Sequence, residues 1–261
     1  WGTEDATPKL FPPREDALFV LVDKRQVAER VVELRLRPVG QPIRYWPGQY
    51  VMLGNPRADI PLRAYSIANA PRPDGELVLQ VARADDGVTS AWVHEQLNIG
   101  DSLKVSGAYG TFIGDPSVNT PVLCLAAGTG LAPILALTEA ALRRGYRGKV
   151  TLVFSARTLA DVYSLGLLAW WRAKHRNFDY HITLTRDQQD GCRHGRIPEL
   201  LPSLCADLSK HTVFIAGSPA FVEACQTAAR SQGAPAEQIH SEGFFAQQQR
   251  LQPDPQPVAV F

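Results

Sequence analysis

Three side chains suited to binding a planar, phosphorylated ligand lie within four consecutive residues. The sequence Arg63-Ala64-Tyr65-Ser66 places a guanidinium group, an aromatic ring and a hydroxyl almost side by side. Its alternation predicts a β-strand, in which Arg63 and Tyr65 share one face and Ser66 points to the other. An arginine fork suits a phosphate, and a tyrosine ring offers a flat surface. The alternative is an edge-strand arginine beside a structural tyrosine.

Two glycine-rich turns form a second candidate site. The first follows an apolar strand at 122–127 and opens a helix at 131–144. Gly128, Thr129 and Gly130 lie between the two elements, and Pro133 lies in the first turn of the helix. Glycines allow close approach to the backbone, and the amides at a helix N-terminus favour an anion. The second turn, Gly217-Ser218-Pro219, leads from a strand at 212–216 into a helix at 219–231. If both strands belong to one parallel sheet, the turns share a cleft for a nucleotide or phosphate. The alternative is that the glycines serve only tight turn geometry.

A third candidate is the start of a short helix predicted at 89–97. It follows Gly87 and Val88 and begins with Thr89 and Ser90. The two hydroxyls are predicted either to cap the helix or, together with the first-turn amides, to hold a phosphate.

The elements that must position these residues fall into two groups, because the pattern of apolar residues changes along the chain. The first ~115 residues show short, alternating strands separated by turn residues, which predict a β-barrel or sandwich. These strands are predicted at 17–26, 30–38, 49–54, 62–69, 76–84 and 101–107. After a linker at 114–121, apolar strands alternate with helices, which predicts a parallel sheet covered on both faces. Besides those named above, strands are predicted at 150–154, 180–185 and 238–242, and helices near 159–176 and 198–208.

The predicted domain organisation follows from this change of rhythm. An N-terminal extension covers residues 1–16, a β-barrel domain covers 17–115, an α/β domain covers 120–245, and a Gln/Pro-rich tail covers 246–261. The linker-like tail and the absence of a first Met lead us to expect a module taken from a longer polypeptide.

Composition excludes several classes of function. The net charge of +1 gives no general affinity for nucleic acid or anionic membranes, and no apolar run is long enough for a membrane span. The four cysteines are widely spaced, which argues against a disulfide framework or an iron–sulfur cluster and favours a reducing, cytoplasmic location. We expect no metal site.

Five motifs in order resemble those of the ferredoxin–NADP(+) reductase superfamily, in particular the reductase modules of bacterial oxygenase systems. They lie at residues 63–66, 87–90, 128–133, 217–219 and 242–245. The resemblance covers about residues 17–245. It implies a six-stranded antiparallel FAD-binding barrel followed by a five-stranded parallel NAD(P)-binding α/β domain.

The resemblance also implies a role for each motif. Arg63 would bind the flavin phosphates, Tyr65 would lie against the isoalloxazine ring, and Ser66 would hydrogen-bond near its reactive nitrogen. Glu242 and an aromatic residue, Phe244 or Phe245, would close the other side of the flavin. We therefore expect Ser66, Tyr65 and Glu242 to be catalytic. The remaining FAD contacts are expected from Ala64, Gly87, Val88, Thr89 and Ser90, and the nicotinamide nucleotide contacts from Gly128, Thr129, Gly130, Pro133, Gly217, Ser218 and Pro219.

The chain departs from the family pattern at two motif positions. Asp86 stands where relatives have the first glycine of a pair, which makes the approach to the phosphate less open. Ala216 stands where many relatives have a cysteine near the nicotinamide, so Ser66 is expected to carry more of the polar role at the hydride site.

Coenzyme choice is predicted from the ends of two strands. Ser155 and Arg157 follow the strand at 150–154, and Arg186 follows the strand at 180–185. They resemble the phosphate-reading positions of NADPH-using relatives, and the hypothesis is a preference for NADPH. The alternative is that both arginines are solvated loop cations.

The resulting functional prediction is an NAD(P)H-dependent flavoprotein reductase. It passes electrons through FAD to a ferredoxin, an oxygenase component or another redox protein, or to an iron–sulfur domain fused outside this chain. One alternative is a reductase of free flavin or small molecules. Another is a regulatory subunit that keeps the fold without turnover.

Overall fold

The computed structural model describes residues 9–115 and 119–244, which build two six-stranded sheets with five α-helices. The first sheet contains β1 (Arg14–Ala28), β2 (Val31–Pro38), β3 (Tyr50–Asn55), β4 (Ile60–Ser66), β5 (Leu77–Ala82) and β6 (Ser102–Tyr109). The second contains β7 (Val122–Ala127), β8 (Val150–Ala156), β9 (Phe178–Leu184), β10 (Arg193–His194), β11 (Thr212–Gly217) and β12 (Ile239–Gly243). The helices are α1 (Val88–Glu95), α2 (Leu131–Arg143), α3 (Leu165–Lys174), α4 (Ile197–Leu204) and α5 (Pro219–Ser231).

The first sheet is antiparallel and curls into a barrel, with the order β4-β3-β6-β1-β2-β5. Alternate residues of each strand point inward, as Phe19 and Leu21 of β1 do, and both are fully buried. The edges meet where Ile67, just after β4, forms a bridge with Leu79 of β5. Of the two predicted architectures, the structure therefore favours the barrel.

The second sheet is parallel, with the order β10-β9-β8-β7-β11-β12. The predicted α/β class is confirmed, but the predicted count of five strands is wrong because β10 adds a sixth. This strand has only two residues, too few to give a recognisable alternation. The strands β7 and β11 are parallel neighbours, so the glycine turns that follow them lie side by side at the carboxyl ends of the strands.

The helix predicted near 159–176 is divided in the structure. A 3-10 turn at Leu159–Asp161 is held by a capping box between Thr158 and Asp161, and α3 begins only at Leu165. Between them Ser164 adopts a left-handed conformation with φ 61°, which interrupts the helical backbone.

The two domains share part of their hydrophobic core. Phe112, at the end of the barrel domain, packs edge-to-face on Phe214 of β11 with ring centroids 5.7 Å apart. Glu139 of α2 adds a polar link, since its Oε2 accepts a hydrogen bond from the Ala70 amide at 2.8 Å. These contacts fix the end of β4 against the α/β domain.

No helix in the described residues is long and apolar enough to cross a membrane. The same residues contain no cluster of His, Cys, Asp or Glu that could hold a metal ion. The four cysteines are free; Cys124 and Cys225 are buried, and Cys192 and Cys205 are half-buried.

Candidate functional site

The strand β4 presents the arginine and tyrosine singled out from the sequence. Arg63 and Tyr65 are half-buried, whereas the alternating Leu62 and Ala64 are exposed. The Tyr65 ring packs against the barrel core, and its buried hydroxyl has no hydrogen-bond partner among the described residues. Burial raises the pKa of Tyr65 to about 12, and the nearby charge of Arg63 partly opposes the shift. The Tyr65 phenol is therefore neutral at physiological pH and can donate a hydrogen bond.

Ser66 and Glu242 meet across the two domains. The Ser66 Oγ on β4 donates to the Glu242 Oε2 on β12 over 3.4 Å. Burial raises the pKa of Glu242 to about 7, and the hydrogen bond from Ser66 partly opposes this shift. Glu242 can therefore hold or release a proton near neutral pH.

Tyr50 and Gly110 belong to the same site, although sequence reasoning missed both. Tyr50 pairs with Ser66 across the β3–β4 ladder, and its pKa is raised by burial and by the charge of Glu242. A Cβ on Gly110 would lie 3.1 Å from the Tyr50 ring and 4.0 Å from Glu242 Oε1. The hairpin register of 49–54 against 62–69 was the only sequence signal that could have placed Tyr50 beside Ser66.

The two glycine turns contact each other directly. A Cβ on Gly130 would lie only 2.2 Å from the carbonyl oxygen of Ala216, so this position requires glycine. Gly128 has φ 56°, is exposed, and would meet nothing within 4 Å, so a ligand can approach its backbone. Its carbonyl accepts a hydrogen bond from the buried Tyr163 hydroxyl at 3.0 Å, which fixes the turn.

The other residues of the two turns are partly buried or help to start the helices that follow. Thr129 is half-buried, and Pro133 is buried in the first turn of α2. Ser218 caps α5 by accepting a hydrogen bond from the Phe221 amide at 3.3 Å, and Pro219 occupies the first turn.

The predicted capping roles of Thr89 and Ser90 are wrong. Both side chains are buried: the Thr89 hydroxyl donates to the Pro61 carbonyl at 2.6 Å, and that of Ser90 donates to the Gly87 carbonyl at 3.0 Å. The N-cap of α1 is Gly87, and no side chain of the described residues caps this end. The first-turn amides, with exposed Val88 beside them, are the part of this motif suited to an anion.

The predicted coenzyme-selecting arginines lie next to each other at the ends of β8 and β9. The Arg186 amide donates to the Arg157 carbonyl at 2.8 Å, and both side chains are exposed. The Arg157 guanidinium lies 3.6 Å from a carboxylate oxygen of Asp161. Ser155 does not follow its strand as predicted, because β8 extends to Ala156 and Ser155 is buried inside it.

Phe244 closes the described part of the site. Its amide donates to the Gly217 carbonyl at 2.8 Å, and its side chain packs against the α/β core. Phe245, the other predicted aromatic contact, lies outside the described residues.

These residues fit FAD and a nicotinamide nucleotide. The unpartnered Tyr65 hydroxyl and the uncapped start of α1 are polar groups that a flavin nucleotide can satisfy. Gly110 has no side chain to crowd the Tyr50 ring, and the backbone of Gly128 faces open space, so both positions leave room for a ligand. The arrangement of barrel, parallel sheet and intervening cleft defines a two-domain flavin and nicotinamide reductase fold.

Comparisons with known proteins agree with this class. The oxidoreductase FAD-binding domain model matches residues 19–113, and the oxidoreductase NAD-binding domain model matches residues 124–227. This chain belongs to the ferredoxin–NADP(+) reductase superfamily.

Individual relatives show which members of this superfamily the chain is similar to. The chain is 32% identical over 214 residues to reductase component 2 of terephthalate 1,2-dioxygenase from Comamonas sp., which is 81% of this chain and 63% of the relative. It is 31% identical to the ferredoxin–NAD(P)(+) reductase component of the Pseudomonas putida naphthalene 1,2-dioxygenase system, covering 81% of this chain and 64% of that relative. The chain thus spans just under two thirds of the length of these curated relatives.

Among solved structures, the Amycolatopsis cytochrome P450 reductase GcoB superposes with a TM-score of 0.84 at 28% identity, covering 89% of this chain and 70% of that chain. The ferredoxin reductase in carbazole 1,9a-dioxygenase gives a TM-score of 0.80 at 25% identity, covering 94% and 73%.

Proposed function

We propose that the protein is an FAD-dependent NAD(P)H oxidoreductase that passes electrons to an iron–sulfur or other redox protein. The observation that carries this proposal is the Ser66–Glu242 pair, which joins the barrel to the α/β domain beside the glycine turns. A hydroxyl and a carboxyl group of near-neutral pKa, shared between the two nucleotide domains, fit a site where a proton accompanies electron transfer.

When bound, FAD supplies the redox chemistry, since it takes up electrons in pairs and releases them singly. The chain's own residues bind and orient it. In this proposal Arg63 holds phosphate oxygens, the Tyr65 phenol donates a hydrogen bond while its ring packs on the flavin, and the amides at the start of α1 bind the pyrophosphate. Val88 and Ala64 contribute exposed surface at the same site.

Protons move through Ser66 and Glu242 in this proposal. Glu242 carries a proton on its carboxyl group part of the time at neutral pH because its pKa is about 7. The Ser66 Oγ donates to ionised Glu242. When Glu242 is protonated, its proton can pass to the Ser66 Oγ as Ser66 gives its own hydrogen to an acceptor, so the pair can relay one proton. Tyr50 and Gly110 lie beside this carboxyl group.

The nicotinamide nucleotide is assigned to the two glycine turns. Gly128 and Thr129 would receive the nicotinamide, and Gly217, Ser218 and Pro219 would complete the cleft. Phe244 and Phe245 are proposed to close it. NADPH is proposed as the preferred coenzyme, because Arg157 and Arg186, joined by a backbone hydrogen bond at the ends of β8 and β9, both expose their cationic side chains.

The proposed partner is an oxygenase component or a ferredoxin. Several relatives are reductase components of dioxygenase systems, and one is the reductase component of phenol 2-monooxygenase. Four free cysteines support a reducing compartment, and we place the protein in the cytoplasm.

The decisive experiment is anaerobic reduction of the purified chain by NADH and NADPH in parallel, followed by identification of the released flavin. A yellow protein that either coenzyme bleaches, with FAD released on denaturation, is the expected result. A colourless protein that cannot bind FAD contradicts the proposal. Retained FAD that neither coenzyme reduces favours the regulatory alternative.

A further inference from the structure

Helix α2 connects the proposed nicotinamide cleft to the barrel domain. It begins directly after the Gly128–Gly130 turn, where Gly130 packs against the Ala216 carbonyl oxygen. Glu139 lies two helical turns after Leu131, the first residue of α2, which is about 12 Å along the helix axis. Because the intervening helix is continuous, a contact made by Glu139 positions the turn at the start of α2.

Glu139 binds the barrel domain through a buried backbone amide. Its Oε2 accepts a hydrogen bond from the Ala70 amide at 2.8 Å, and Ala70 is 3% exposed. A buried amide needs an acceptor, and Glu139 supplies it. The Glu139 Oε1 lies 3.8 Å from the guanidinium groups of Arg72 in the barrel domain and Arg143 on α2. Arg143 also donates to the Pro71 carbonyl at 3.3 Å, so two side chains of α2 hold this barrel segment.

The segment that Glu139 holds is continuous with the strand that carries Ser66. Ser66 is the last residue of β4, and only three residues separate it from Ala70. All three are hydrogen-bonded to other parts of the barrel, namely Ile67, Ala68 and Asn69. Ala70 is therefore fixed relative to Ser66, just as Glu139 is fixed relative to Gly130. The Glu139–Ala70 hydrogen bond thus sets the position of β4 relative to the glycine turn.

We propose that Glu139 is a positioning residue that holds β4 and the Gly128–Gly130 turn at the spacing that hydride transfer needs. The inference rests on the proposed function, in which a hydride carries both electrons from the reduced nicotinamide to the flavin. The rate of such a step depends on the distance between the reacting atoms, and a displacement of about 1 Å can lower it by about 100-fold. Glu139 acts through Ala70 and α2 and does not itself touch a coenzyme.

Three substitutions separate the length of the side chain from its charge. Glu139→Gln keeps the length and an acceptor oxygen, whereas Glu139→Asp keeps the charge but is one methylene shorter. Glu139→Ala removes both. Stopped flow at saturating coenzyme measures the limiting rate of FAD reduction. This rate should fall at least about tenfold in Glu139→Asp and Glu139→Ala and stay within about threefold of the wild type in Glu139→Gln.

Two further measurements distinguish positioning from a loss of binding or folding. The Kd values for FAD and for the coenzyme should stay within about twofold of the wild type, so the defect is confined to the reduction step. In the FAD-free chain, hydrogen exchange at the Ala70 amide should be faster in Glu139→Asp and Glu139→Ala but not in Glu139→Gln. Glu223→Ala is the matched control, because Glu223 is exposed on α5, which covers the opposite face of the sheet from α2. It should change none of these quantities.

The outcomes separate this role from the proposed function. A wild-type limiting rate in Glu139→Asp would overturn the role of Glu139 and leave the proposed function intact, even if Glu139→Ala does not fold. A rate that falls as far in Glu139→Gln as in Glu139→Asp would also overturn it, because a side chain of full length would not restore the spacing. If neither coenzyme reduces the FAD of the wild type, the proposed function fails and the role of Glu139 fails with it.

Discussion

Ser66 Oγ and Glu242 Oε2 lie 3.4 Å apart, although 176 positions separate the two residues in the sequence. The contact joins the last residue of β4 to β12, the edge strand of the parallel sheet. It exists only when the two domains are docked as the Phe112–Phe214 contact and the Glu139–Ala70 hydrogen bond hold them. The site is therefore a property of the domain arrangement and belongs to neither domain alone.

Ser66→Ala should slow flavin reduction by about 100-fold, the usual effect of losing one acid–base group. FAD affinity should change little, because Arg63 and the start of α1 supply the proposed phosphate contacts. Stopped-flow reduction and FAD titration measure the two quantities separately. Ser102→Ala, an exposed serine in the same barrel, is the matched control. Equal reduction rates in wild type and Ser66→Ala would exclude the proposed role.

Glu242→Gln should change how stability depends on pH. The folded-state pKa of about 7 lies above the ordinary value of 4.5, so the folded protein holds more protons between these values. Stability from this group is therefore present at low pH and is lost as pH rises from about 4.5 to 7. The loss should be roughly 1–3 kcal/mol, allowing for partial solvent access.

Melting of FAD-free wild type and Glu242→Gln at pH 5 and pH 8 measures this loss. Other groups titrate equally in both proteins, so the difference between the two pH dependences isolates Glu242. The wild type should lose more stability on going to pH 8 than the variant does. Parallel pH dependences would show that the carboxyl group titrates normally.

Arg63→Ala should raise the Kd for FAD by about 10- to 100-fold, because a charge-assisted hydrogen bond contributes about 1.5–3 kcal/mol. Among the described residues, its guanidinium donates to the neighbouring Leu62 carbonyl through one nitrogen, which leaves other donors available. Arg57→Ala removes an exposed arginine just before β4 and serves as the control. An FAD affinity that falls equally in both variants would point to a general charge effect.

Elements with strong local signals could be predicted from the sequence. The strand Val122–Ala127 and the helix Pro219–Ser231 have their predicted bounds, because a continuous apolar run ends at glycine and a proline starts the helix. The motif at Arg63–Ser66 was placed on the correct strand for a similar reason, since its alternation is local.

Features set by distant contacts could not be predicted. The Thr89 hydroxyl bonds to Pro61, 28 positions away, so a capping rule based on neighbouring residues failed. Tyr50 comes close to Glu242 only after both domains have folded and docked. The extra strand β10 depends on pairing with β9, since its two residues carry no pattern of their own.

Arg157→Ala should lower kcat/KM for NADPH by about tenfold and leave the value for NADH nearly unchanged. The expected effect is at the low end for a charged hydrogen bond because the side chain is exposed and near Asp161. Arg176→Ala, an exposed arginine beyond the end of α3, is the control. A strong preference for NADH that survives Arg157→Ala would contradict the coenzyme assignment.

Gly130→Ala should lower the free energy of unfolding by about 1–3 kcal/mol, the usual cost of forcing an atom into packed structure. The new Cβ would lie 2.2 Å from the Ala216 carbonyl oxygen, and neither backbone segment can yield as a flexible side chain would. Gly166→Ala is the matched control, because Gly166 lies in α3 with nothing within 4 Å of its added Cβ. That change should stabilise the protein by roughly 0.5–1 kcal/mol. Urea denaturation of both variants measures the two effects.

If Gly130→Ala also separates the two turns, its KM for the nicotinamide coenzyme should rise while FAD stays bound. Normal stability and a normal KM in this variant would mean that the two turns need not touch.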